Sequence, residues 1–135
     1  MSWWKAAVAG LAVAGLGLGQ LPASAAPAWA GDHFKLCVPG FDCGLLYVEG
    51  WIAWGNRTAT VRVDHRNSLG GSLTGHFDAF AGSNKIDSQV THDDTTFVIG
   101  NPNLVGGINR IRSQACLTGT DGQFVCSGQW NDIRD

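Results

Sequence analysis

In TATVRVDH, residues 58–65, every second side chain is apolar. Ala59, Val61 and Val63 point one way, and Thr60, Arg62 and Asp64 point the other. The same period of two runs through SLTGHFDAF (72–80), where Leu73, Gly75, Phe77 and Ala79 share a face opposite His76 and Asp78. It returns in INRIRSQACL (108–117), with Ile111, Ser113, Ala115 and Leu117 set against Arg110, Arg112 and Gln114. No window holds a sustained helical period. LLYVEGWIAW (45–54) is apolar on both faces, which suits a strand in the middle of a sheet. Shorter strands are expected at 85–90, 95–99 and 123–128. Turn signals fall between these pieces at Gly55-Asn56, 67–71, 82–84, 92–94, 100–107 and 118–122. About seven short strands at this spacing predict an all-β fold: an antiparallel β-sandwich of immunoglobulin or fibronectin-III size, with a small β-barrel as the alternative. The immunoglobulin subtype lacks a hallmark, because the single tyrosine, Tyr47, lies on the first long strand and can form no tyrosine corner.

The front of the chain reads differently. Lys5 precedes an apolar run at 6–18, and Ala23-Ser24-Ala25 follows Pro22. A charged start, a short apolar stretch and an A-x-A exit are the order of a secretory signal peptide. The run is shorter than the roughly 20 residues that a membrane span needs. Residues 1–25 are therefore expected to be removed, with a cut after Ala30 as the alternative. Residues 26–44 are expected to form an N-terminal segment, and 45–135 the sandwich domain. Loss of Lys5 leaves eight basic residues against eleven acidic ones. That balance excludes nucleic acid as the expected partner, because such binding rests on clustered Lys and Arg. It also excludes an anionic membrane surface once the signal is gone.

All four cysteines, Cys37, Cys43, Cys116 and Cys126, lie in the mature part. An exported chain meets an oxidising compartment, so disulfides are expected. Spacing favours Cys37–Cys43 with Cys116–Cys126, each ring contributing roughly 2–3 kcal/mol in the loop-entropy model. Crossed pairings close longer loops and stay open. Zinc is disfavoured, because no C-x2-C pair occurs and the histidines do not cluster near the cysteines.

Catalytic motifs are missing. No G-x-S-x-G and no H-E-x-x-H occur, and Glu49 is the single glutamate. A set of Ser68, His65 and Asp78 assembles only by free choice among polar residues, and His65 and His76 read as surface histidines. His92-Asp93-Asp94 lacks the spacing of a calcium loop and reads as a turn. Three features remain as binding candidates. CVPGFDC (37–43) closes a small ring that displays Val38, Phe41 and Asp42, and a closed loop is rigid, which lowers the entropy cost of binding. The hairpin tip LTGTDGQFV (117–125) offers the same device. Trp51 and Trp54 stand three apart, so they face opposite sides of a strand, one toward the core and one toward a sugar ring it can stack on.

FDAFAGSNKIDSQ (77–89) and FVIGNPNLVGGINRIRSQAC (97–116) resemble small, secreted, two-disulfide β proteins of actinomycete-type bacteria. The resemblance covers roughly residues 45–135 and carries no assigned activity and no functional residues. Taken together, the chain reads as an exported, extracellular, non-enzymatic protein with no cofactor and no metal. Its expected role is binding to an extracellular protein or a cell-envelope component. Inhibition of an extracellular protease through a stapled loop is the alternative, and carbohydrate binding the third reading.

Overall fold

The computed structural model describes residues 31–134, and the proposed signal peptide lies outside them. The described residues form nine strands and no helix. β1 (Asp32–Cys37), β2 (Leu46–Trp54), β3 (Thr58–Asn67) and β6 (Thr95–Gly100) make a four-stranded sheet in the order β1-β2-β3-β6. β5 (Asn84–Thr91), β4 (Ser72–Ala81), β7 (Arg110–Thr118) and β8 (Phe124–Cys126) make the second sheet in that order, and β9 (Trp130–Ile133) also pairs with β7. All pairings are antiparallel. The sheets are open, so the architecture is a sandwich and not a closed barrel.

The alternation seen in the sequence sets the core. Val48, Ile52, Val61 and Val63 from the first sheet are fully buried against Phe77, Ile111 and Ala115 from the second. Each such side chain contributes roughly 1.5–3 kcal/mol on burial. Phe34 and Phe77 meet edge-on in the middle, 5.8 Å between centroids. Gly50 makes this possible: a Cβ there would lie 2.6 Å from Phe34 Cζ and 2.2 Å from the Arg62 carbonyl oxygen.

Two strands were not expected. β1 lies within residues 26–44, read above as a segment outside the sandwich, yet it is the edge strand of the first sheet and buries Phe34 and Leu36. β9 is short, and it brings Trp130 against the core. The disulfides are Cys37–Cys43 and Cys116–Cys126, the pairing that spacing favours. Two disulfides fit an oxidising compartment. No helix among the described residues is long and apolar enough to cross a membrane.

Candidate functional site

The strand order carries four loops to one end of the sandwich: the 38–45 loop between β1 and β2, the 68–71 crossing between sheets, the 92–94 turn and the 119–123 hairpin tip. The 38–45 loop begins where β1 runs out. Val38 continues the inward alternation of Phe34 and Leu36 and is 1% exposed. The expectation that Val38 is displayed by the loop is therefore corrected, since the pleat turns it into the core. Gly40 then takes the left-handed conformation, at φ 86°. Asp42 is spent on the loop itself. Its Oδ1 accepts from the Gly44 N–H at 2.8 Å, and its carbonyl accepts from the N–H groups of Leu45 and Leu46. Phe41, 38% exposed, is a displayed apolar side chain of the loop, and Asp42 is exposed beside it.

The neighbouring loops are built in the same local way. Asn67 Oδ1 accepts from the Leu69 and Gly70 N–H groups, which holds the crossing loop and leaves Leu69 45% exposed. The Ser68 N–H donates to the Leu45 carbonyl at 2.9 Å and ties this loop to the stapled one. In the β7–β8 hairpin Cys116 and Cys126 are direct register partners. The tip is closed by Gly119 N–H to Gln123 O at 2.7 Å and by Asp121 Oδ1 accepting from Gln123 N–H at 3.0 Å. Phe41, Leu69, Thr120 and Gln123 then line one cleft of about 240 Å³, with buried Leu117 at its base. The two stapled loops, treated separately in the sequence, are thus parts of a single concave surface. Residue spacing could not show this, because it depends on which strand ends become neighbours.

Trp54 and Trp51 do face opposite ways. Trp54 packs against the core, and its Nε1–H donates to Asp132 Oδ2 at 2.9 Å. It is not placed to stack on a sugar. Trp51 lies on the outward face of the first sheet, half-buried between the His33 ring at 5.1 Å and the Arg62 guanidinium at 5.2 Å. His33 Nε2 also meets Glu49 Oε2 at 2.6 Å, and Lys35 Nζ sits 4.3 Å from the Tyr47 ring. The polar groups of this face are largely engaged with one another.

His65 and Asp78 do not come together as parts of one reacting set. His65 stands on β3 in the first sheet and Asp78 on β4 in the second. His65 Nε2 lies 3.0 Å from Thr91 Oγ1, and its backbone N–H donates to Asp94 Oδ1 at 2.6 Å. Burial pushes its pKa below the ordinary histidine value, against the opposing effects of the Thr91 hydrogen bond and the Asp94 and Asp93 charges. Asp78 receives the Arg112 guanidinium at 2.9 Å and the Ser88 hydroxyl at 2.8 Å. Burial raises its pKa, but hydrogen bonds from Arg112 and Ser88, with the charge of Lys85, outweigh that and hold the carboxyl below its usual value. Among the described residues no three His, Cys, Asp or Glu side chains gather closely enough to hold a metal ion.

Compared with known proteins, the chain matches no family model, no curated protein and no solved structure.

Proposed function

We propose that the chain is an exported, non-enzymatic binding protein, and that its partner is an extracellular or cell-envelope protein held at the stapled end. The observation that carries this reading is the joint cleft of Phe41, Leu69 and the 119–123 tip. Its walls are closed by two disulfides and by local turns, so little entropy is lost when a partner seats there. Phe41 and Leu69 are exposed apolar side chains that gain on burial. The cleft is concave, which suits receipt of a partner's apolar side chain. An inhibitory loop must instead project into the cleft of its protease, so binding is preferred to inhibition.

The test uses the oxidised mature protein immobilised on a support, exposed to culture supernatant and wall extract of the producing cell. A protein retained by the wild type and lost with both Phe41→Ala and Leu69→Asp supports the reading. Retention unchanged by either substitution overturns it. A single protease held near one-to-one, with its activity blocked, would carry the inhibitor reading instead.

A further inference from the structure

The outward face of the five-stranded sheet carries a second recess, of about 420 Å³, within the range of about 300–1,000 Å³ common for small-ligand sites. Two cross-strand rows make its floor. One is Ser88, Asp78 and Arg112, which are register partners on β5, β4 and β7. The other is Val90, His76 and Gln114, partners on the same strands. Phe124 lies at its margin and is 65% exposed.

We propose that this recess binds a neutral, hydroxyl-rich ligand, a segment of a polysaccharide chain. Three observations carry the assignment. First, the charges of the floor cancel internally. Asp78 and Arg112, the one carboxylate and the one guanidinium lining the recess, are paired with each other at 2.9 Å; Lys85, 3.7 Å from Asp78, is not among the lining residues. Second, each planar side chain is held by one internal bond and keeps further hydrogen-bonding atoms. Arg112 uses one N–H on Asp78 and rests over the Phe80 ring at 5.0 Å, with further donors on the same plane. Gln114 donates through Nε2 to the Ser127 carbonyl at 2.9 Å, which fixes the amide and keeps Oε1 as an acceptor. His76 meets Thr74 Oγ1 at 2.9 Å through Nε2 and keeps Nδ1. Donors and acceptors are thus interleaved and pre-set, as the alternating hydroxyls of a sugar require. Third, Phe124 offers an exposed ring on which the C–H face of a pyranose stacks. The first sheet differs here: its tryptophan is already flanked on both sides by His33 and Arg62.

The site is independent of the stapled-end cleft, and its test is separate. Isotope-labelled mature protein is titrated with hexasaccharides of β-1,4-glucose, β-1,4-N-acetylglucosamine and α-1,6-mannose, and with polygalacturonic acid fragments, and followed by heteronuclear NMR. The expected result is that a neutral hexasaccharide shifts the Gln114 side-chain amide and the β4 and β7 backbone. Phe124→Ala is expected to weaken that binding about fivefold to tenfold, while Trp51→Ala leaves it unchanged. Because Phe124 is exposed, its truncation leaves the fold intact, which the spectrum itself verifies. Shifts centred on Trp51, preference for the acidic fragments, or no shift with any neutral hexasaccharide would each overturn the proposal.

Discussion

At the end formed by the 55–57, 82–83 and 101–109 loops, one segment is joined to the next by hydrogen bonds. Ile108 N–H donates to Arg57 O, Asn109 N–H to Phe80 O, and Gly82 N–H to Asn109 Oδ1. Arg134 donates to the carbonyls of Ile108 and Gly55, and Trp54 donates to Asp132. At the opposite end the loops are closed mainly by disulfides and Asx turns, with one bond between two of them from Ser68 N–H to Leu45 O, and the Phe41 and Leu69 side chains stand outside that bonding. The difference is one of how side chains are used. The bonded end uses the side chains of Asn109, Arg134 and Trp54, with backbone bonds from Ile108 and Asn109, to hold neighbouring segments together, although Val105 stays exposed there. A stapled end is held by bonds that leave its side chains free for a partner, which is why the binding proposal rests there.

The bonded end is expected to be most vulnerable at Trp54. Trp54→Ala removes a core-packed ring and the Asp132 hydrogen bond, and is expected to cost ~3–5 kcal/mol in urea unfolding. A loss below ~1 kcal/mol would mean that the bonded end does not depend on this contact. Next in size is the double replacement Cys116→Ser with Cys126→Ser. It is expected to cost about 2–3 kcal/mol and to weaken partner retention, whereas Trp54→Ala should spare retention under folding conditions. A smaller effect is expected on acidification. The folded-state pKa of His65 is lowered, so its contribution is fully present above the ordinary value of 6.5 and is lost as pH falls through 6.5 toward the folded value. Thermal unfolding between pH 7 and pH 5 should show this decline, and His65→Asn should flatten it. Smallest is Phe41→Ala, whose cost in stability should stay within ~0.5 kcal/mol while retention is lost. A larger cost would move Phe41 from the binding surface into the scaffold.

Much of the fold was legible because alternation is local. The inward sets Ala59-Val61-Val63, Leu73-Phe77-Ala79 and Ile111-Ala115-Leu117 are all buried as their period predicts. β1 was missed although Phe34, Leu36 and Val38 alternate, because only Phe34 and Leu36 precede the first disulfide loop and Val38 already lies within it. The same oversight misplaced Val38. β9 was missed because four residues are too few to display a period. The cleft and the outward recess were not legible at all. Their residues come from segments far apart in sequence, and which of those segments adjoin is decided by sheet pairing, not by any one stretch.

Both disulfides span short separations, 6 and 10 residues, while the chain passes between sheets from β3 to β4, from β5 to β6 and from β6 to β7. These two facts set different clocks. Closing a short loop is a local event, complete in well under a millisecond once the thiols are poised, with oxidation itself taking seconds or longer. Assembling sheets from distant segments is slow, on the order of milliseconds to seconds. Each cysteine therefore meets its partner by local loop closure, whether or not the sheets have assembled. The staples need no finished fold in order to form, so the same two rings are expected whichever comes first, oxidation or sheet assembly.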